Sequence, residues 1–357
     1  MRFALFISFL LFGAVKAAYI DVDENLNITE LSVCSDSSSV LNFPSIKEEL
    51  IQFVEYCSLA YCMPKNSMPR NKITDGNLVD ACPISSCTDS TGNKKIVYQF
   101  KGDISGLIVQ DDTNKQIILV FKGTTSDREW EIDFDTSHKK YVPYTVSQGI
   151  NTMDFTCGGC QVHTGFYDAT SIFMNEAFQY MQELHNEYPS YSIFVTGHSL
   201  GAALAVLAAN ELRLVGMDVT LVNYAGPKVG NPSFAEWMND LWSISYLTDF
   251  LKAGKGSQLP TNTFTRVTSK GDIVPLVPLA AMNFAHSGSE IQINRETNSL
   301  KVRGQWSLCK ETSDLESISK ITLAYITSGN WQYLTSKSEI TEAHVNYFMR
   351  VTECSSA

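Results

Sequence analysis

Thr196-Gly-His-Ser-Leu-Gly201 sets a serine midway between two glycines at the end of an apolar run, Ile193–Val195. A serine hydroxyl is a poor nucleophile until a base takes its proton and donors hold the charge that develops on the attacked carbonyl. The G-x-S-x-G spacing suits this chemistry when it ends a strand and opens a helix. The tight turn then projects Oγ above the sheet edge, and the helix aims free N–H groups and its positive dipole end at the same spot. Here the motif follows a buried-strand pattern and precedes the alanine-rich helical stretch Ser199–Val215, which is the context it requires. The serine needs a histidine base and an acid to orient it, and in this type of chain both follow the nucleophile. Two histidines do, His286 and His344, and spacing alone leaves both open. Among the acids Asp272 stands out: Arg266-Val-Thr-Ser-Lys-Gly-Asp-Ile-Val-Pro275 reads as a strand giving way to a loop. A carboxylate at a strand's carboxyl end lies on the serine's edge of the sheet. A plain turn aspartate after glycine is the rival reading.

These residues have to be positioned by alternating elements, and from His163 onward the pattern supplies them. Ile172, Phe173, Ala177, Tyr180, Met181 and Leu184 share one helical face within Gly165–Tyr188, which Pro189 ends. The strand Tyr191–Thr196, the helix Ser199–Val215, the strand Val219–Tyr224, a helix near Phe234–Leu241 and the strand Thr263–Thr268 follow. Strand, helix, strand in this order implies right-handed crossovers. The fold class is therefore α/β, an α/β-hydrolase arrangement with a mostly parallel central sheet and helices on both faces. Upstream, Ile46–Tyr61 has helical spacing, and short strands read at Ile96–Phe100, Ile104–Gln110 and Gln116–Phe121, with turns at Lys101-Gly102 and Asp111–Asn114. No repeat or linker divides the chain of 357 residues, 44% hydrophobic, so one hydrolase domain is expected over 46–357.

Residues 1–17 combine Arg2, an apolar run Phe3–Phe12 and small residues at Val15 and Ala17, the pattern of a cleaved secretory signal. The run is too short to span a bilayer core of about 30 Å. Residues 18–45, polar and serine-rich, read as a loose amino-terminal arm or propeptide, with one glycosylation sequon at Asn27-Ile28-Thr29. Losing Arg2 and Lys16 would take the net charge from −11 to −13. That balance argues against nucleic acid or an anionic membrane as partner, since both require a basic face. Nine cysteines, all beyond the leader, suit an extracellular, oxidising compartment. Cys157-Gly-Gly-Cys160 could form a redox or half-zinc site, but no second CxxC or spaced histidine pair accompanies it, so a local disulfide is preferred, as for Cys82 with Cys87. An odd total leaves at least one thiol outside any intrachain pair. No metal or cofactor is needed for serine acyl transfer, and a monomer is expected.

Six phrases then align in order: Phe121-Lys-Gly-Thr-Thr125, Val162-His-Thr-Gly-Phe166, Thr196-Gly-His-Ser-Leu-Gly201, Gly226-Pro-Lys-Val-Gly-Asn231, Gly271-Asp-Ile-Val-Pro-Leu-Val-Pro278 and Ala343-His-Val-Asn-Tyr-Phe348. Together they resemble the fungal lipase family (class 3) over Ile46–Cys354, including secreted yeast triacylglycerol lipases and feruloyl esterases. The resemblance implies that the base is His344, near the carboxyl terminus and followed by an aromatic pair, while Ala285-His286 matches a position that is not the base. The implied triad is Ser199, Asp272 and His344. It also implies an oxyanion hole from the backbone N–H groups of Thr124 and Leu200, and a structural role for His163. The family cysteine positions match Cys62 with Cys354, Cys82 with Cys87, and Cys157 with Cys160, leaving Cys34, Cys57 and Cys309 unassigned.

The segment that matches the family's lid is Thr125–Asp135. Trp130 and Phe134 lie one helical turn apart in it, with Ile132 off that stripe, and six of its eleven residues are charged, five of them acidic. An oily substrate at an oil–water interface suits the aromatic stripe. The charge suits a feruloyl, aryl or short-chain esterase instead. Ile273, Val274, Leu276, Val277, Leu279 and Val345 would line an acyl groove, or else belong to the core. The sequence therefore predicts a secreted triacylglycerol lipase first and a carboxylesterase second. A non-catalytic secreted binding protein on the same scaffold is a third reading, opposed by the intact triad pattern.

Overall fold

Every residue of the strand that leads into Gly197-His-Ser199 is buried except its first, and the two strands that follow it in the chain's order are buried throughout. Strands without an exposed face belong to a sheet covered on both sides. The computed structural model describes residues 3–9, 16–22, 28–33, 39–41, 44–62, 94–101, 104–123, 137–254, 256–297, 299–305 and 338–353. Its strands are β1 (Phe3–Phe9), β2 (Lys16–Val22), β3 (Ile28–Val33), β4 (Ser39–Leu41), β5 (Lys94–Lys101), β6 (Ser105–Asp111), β7 (Gln116–Phe121), β8 (His138–Lys140), β9 (Gln161–His163), β10 (Ser192–His198), β11 (Val219–Tyr224), β12 (Phe264–Ser269), β13 (Ser289–Asn294) and β14 (Ser299–Gln305), followed by a short pair near the carboxyl end.

The central sheet has nine strands in the order β4-β14-β13-β12-β11-β10-β7-β6-β5. Its middle, from β7 to β13, is parallel, and its flanks are antiparallel. Gly197 on β10 lies level with Phe121 on β7 and Asn223 on β11, so the carboxyl ends of these strands share one edge. From that edge β7 leads to Gly123, β10 to Ser199 and β12 to Asp272. The helix Leu200–Leu214 is buried along its whole length apart from Arg213, held between the sheet and the helix Thr164–Glu176. Pro44–Cys62 packs on β7 and β10, and Ile244–Ala253 on β13 and β14.

The α/β class, the mostly parallel sheet and the strand positions agree with the sequence pattern, with four differences. The stretch expected as one helix over Gly165–Tyr188 is two, Thr164–Glu176 and Phe178–Glu187, broken at Ala177, whose φ is −118°. Ala177 still donates to Phe173 and accepts from Met181, so the apolar period runs on across the break. The helix Ile244–Ala253 follows a short stripe, Ile244, Leu247 and Leu251, all buried. The antiparallel hairpin β13–β14 closes the sheet's far side, its turn capped by the Asn294 carboxamide oxygen accepting from the Glu296 and Thr297 amides. Within 18–45, expected as a loose arm or propeptide, β2 and β3 join β1 in a separate three-stranded sheet and β4 pairs with β14. Ile20, Val22, Ile28 and Val33 supply β-branched residues there that the polar average conceals.

Candidate active site

Ser199 adopts φ 59° and ψ −128°, a backbone conformation that costs a non-glycine residue on the order of 1–3 kcal/mol. The strain is held by the parts on either side: its amide donates to Tyr224 on β11, and its carbonyl accepts from Ala202 in the first turn of the helix. The glycines of the motif are there for space. A Cβ on Gly197 would lie 2.2 Å from the Gly201 carbonyl oxygen, and one on Gly201 would lie 2.3 Å from that of Phe121. Strand, turn and helix therefore approach closely only with glycine at both ends of the motif. Leu200 opens the helix, where N–H groups lack intrahelical partners.

His344 stands in the last turn of the helix Ser338–Val345, and its Nε2 is 2.9 Å from Ser199 Oγ. On its other side Nδ1 lies 3.2 Å and 3.1 Å from the two oxygens of Asp272. A carboxylate only accepts, so Nδ1 carries the proton and Nε2 presents its lone pair to the serine hydroxyl. Burial opposes the charge on Asp272, but the His344 imidazole, the Tyr347 hydroxyl and the Val274 amide outweigh it and hold the carboxyl below its ordinary value. Tyr347 donates to Oδ2 at 2.6 Å and itself accepts from the Ser269 amide at 3.1 Å; Val274 donates to Oδ1 at 3.0 Å. This is an ionised acid locked by donors, a base in one tautomer and a hydroxyl on a strained turn. Such a set removes a proton from Oγ as it attacks an electrophilic carbon.

The loop after Asp272 is pinned from outside the three residues. Fully buried Lys228 donates its amide to the Val277 carbonyl and its ammonium, at 2.6 Å, to that of Leu276. His286 donates through Nε2 to the Pro275 carbonyl at 2.6 Å rather than meeting Ser199. Burial, aided by the Arg266 and Lys228 charges, keeps that imidazole neutral, its pKa far below the usual histidine value. Lys228 belongs to the Gly226–Asn231 phrase, but a loop-pinning role has no mark in the sequence. Ile273, Val274, Val277 and Val345 are buried and Leu276 and Leu279 half-buried, yet none of the six belongs to the main hydrophobic core cluster. His163 accepts from the Phe166 amide through Nδ1 and stacks on the Phe166 ring, capping a helix.

Thr124 and the residues expected to form a lid, Trp130, Ile132 and Phe134, lie outside the described residues, as do Cys34, Cys82, Cys87, Cys309 and Cys354. Cys157 and Cys160 form a disulfide. Cys62 is disulfide-bonded, and its sulfur sits 3.7 Å from the carbonyl of Glu353, the neighbour of Cys354. Cys57 is a buried free thiol beside Thr196, and burial pushes its pKa up to about 12.

An elbow serine at the carboxyl edge of a mostly parallel sheet, with the acid on a later loop and the base at the end of a later helix, defines an α/β-hydrolase fold. The model of the lipase (class 3) family matches residues 118–282. A relative from Saccharomyces cerevisiae is 34% identical over 207 residues, 55% of this chain and 60% of its own. The secreted mono- and diacylglycerol lipase A of Penicillium cyclopium is 30% identical over 251 residues, covering 70% of this chain and 67% of its own. The crystal structure of the Lip2 lipase from Yarrowia lipolytica shares the fold with a TM-score of 0.66, at 23% identity, over 90% of this chain and 98% of that one. The chain belongs to the class 3 lipase family. It spans between 44% and 60% of the length of four other curated relatives.

Proposed function

We propose that the protein is a secreted serine ester hydrolase, a lipase that cleaves acylglycerols through an acyl-enzyme on Ser199. The observation that carries this reading is the unbroken line Asp272–His344–Ser199, with 2.9 Å between base and nucleophile. As Oγ bonds to the ester carbonyl carbon, its proton passes to His344 Nε2. Collapse of the tetrahedral intermediate breaks the carbon–alkoxy bond, and the leaving alcohol takes that proton. Water then attacks the acyl-enzyme, gives its proton to Nε2 and releases the acid, and Oγ recovers its hydrogen. Asp272 stays ionised and stabilises the imidazolium. The amides of Leu200 and Thr124 are proposed to hold the oxyanion, each typically worth about 3 kcal/mol of barrier. Secretion rests on the leader pattern in residues 1–17 and on a relative named as secreted.

Replacing Ser199 with Ala is expected to lower kcat on the order of 10⁶-fold while leaving the unfolding transition in place. Retained ester hydrolysis would sink the triad. The acidic composition of Thr125–Asp135 favours a second reading, an aryl or short-chain carboxylesterase. Emulsified triglyceride, diglyceride, p-nitrophenyl butyrate and methyl ferulate assayed on one sample separate the two. Activity confined to ferulate would overturn the lipase reading, and none on any substrate would favour a binding protein.

A further inference from the structure

His198, between Gly197 and the nucleophile, is buried, and both of its ring nitrogens are bonded to groups other than Ser199. Nε2 lies 2.8 Å from the backbone carbonyl oxygen of His344. A carbonyl only accepts, so the proton is on Nε2, and Nδ1 accepts from the Tyr61 hydroxyl at 2.9 Å. Burial, then the proximity of His344, holds this imidazole neutral by lowering its pKa to about 3. The carbonyl it grips lies in the last turn of the helix Ser338–Val345, where carbonyls have no intrahelical partner. The two histidine rings are 4.7 Å apart between centroids.

Tyr61 reaches a third element as well. A Cβ on Gly123 would lie 1.9 Å from the Tyr61 hydroxyl oxygen and 2.5 Å from the His198 carbonyl oxygen. The last residue before Thr124 is therefore seated against this same pair. Tyr61 itself is the penultimate residue of Pro44–Cys62, whose end is tied by the Cys62 disulfide. The backbone segments carrying the nucleophile, the base and the residue beside Thr124 all meet at one tyrosine–histidine pair.

We propose that His198 and Tyr61 are positioning residues for acyl transfer, His198 fixing the base through its carbonyl and Tyr61 fixing His198 against the Gly123 strand end. The inference rests on the Ser199–His344–Asp272 reading. A displacement of about 1 Å in a catalytic group costs about 10²-fold in rate, so the bond to the His344 carbonyl has leverage that its own strength does not suggest.

Two substitutions of equal length test it. His198→Gln keeps an N–H donor at the position of Nε2, and His198→Met removes it. A p-nitrophenyl ester of diethyl phosphate titrates the reactive Ser199 sites, so kcat is expressed per competent site, with unfolding temperature measured alongside. Expected are a kcat for H198M about 10²-fold below the parent with KM within about 2-fold, and recovery by H198Q to within about 5-fold of the parent. Tyr61→Phe, which deletes one hydroxyl, should lower kcat about 10-fold. H198M turning over at the parent rate, or H198Q as slow as H198M, would overturn the His198 role. Should H198M fail to fold, Y61F decides: parent kcat in that variant overturns the proposal. A parent enzyme in which the phosphate ester leaves Ser199 unmodified would instead sink the triad itself, a distinct failure.

Discussion

At the scale of single residues, Asp272 illustrates how burial and ionisation are reconciled. Its carboxyl is buried, which alone would raise its pKa, yet three donors lower it. A carboxyl held below its unfolded value of 3.8 contributes stability that is complete above that pH and is lost as pH falls through the folded value. Replacing Tyr347 with Phe removes the 2.6 Å bond to Oδ2 and leaves the Ser269 amide without its acceptor. Expected is a loss of about 1.5–3 kcal/mol in urea unfolding at neutral pH. Acid unfolding should also begin at a higher pH than in the parent, because the carboxyl pKa rises towards its ordinary value. An unshifted acid transition would show that the hydroxyl does not govern the charge on Asp272. Gly201→Ala probes the steric half of the site. With 2.3 Å available to the Phe121 carbonyl oxygen, the helix must shift, so kcat should fall at least about 10²-fold even where the variant folds.

At the scale of elements, buried polar groups fix how the helices and loops attach. Glu211, on the central helix, accepts from the Tyr144 amide, the Thr145 amide and the Thr145 hydroxyl, so it caps the short helix Tyr144–Ser147. Burial raises its pKa despite these donors. Glu211→Ala would orphan all three, and a destabilisation of about 2–4 kcal/mol is expected from chemical denaturation, against the about 1 kcal/mol of an exposed cap. A change below 1 kcal/mol would place water in the vacated site. Elements with a clean period were legible from sequence: β10 and its helix, β7 and β12 all read close to their observed limits. The break at Ala177 was not, because a continuous apolar stripe fits two packed helices as well as one. In β13 the alternation Ser289-Glu-Ile-Gln-Ile-Asn294 was masked by Glu290, a buried acid that accepts from Thr268 and pairs with Arg303 and Arg266. The choice between His286 and His344 was equally hidden from spacing, since it depends on which loop a tertiary bond to Pro275 restrains. The motif resemblance pointed to His344, and the structure sets that residue, not His286, beside Ser199.

At the scale of the whole molecule, and on the lipase reading proposed above, the net charge, −11 for the full chain and −13 without residues 1–17, would act on the approach to substrate rather than on the chemistry. Triglyceride droplets are neutral until their surface is loaded with charged amphiphile, and the free fatty acids that hydrolysis releases are anionic. On the lipase reading, an acidic enzyme would then be repelled by its own product layer. The repulsion is long-ranged at low salt, where the screening length is about 30 Å at 0.01 M, and shortens to about 10 Å at 0.1 M. Droplets stabilised with phosphatidylcholine should therefore be hydrolysed at a rate that is nearly independent of salt over this range. Replacing about a fifth of that lipid with phosphatidylglycerol should slow hydrolysis several-fold at 0.01 M, with most of the rate restored at 0.1 M. The soluble ester p-nitrophenyl butyrate should show neither effect, because it meets the site without an interface. A rate that rises with phosphatidylglycerol would reveal a local basic face able to override the molecule's overall charge, and its lysines and arginines would then lie on the side that meets the droplet.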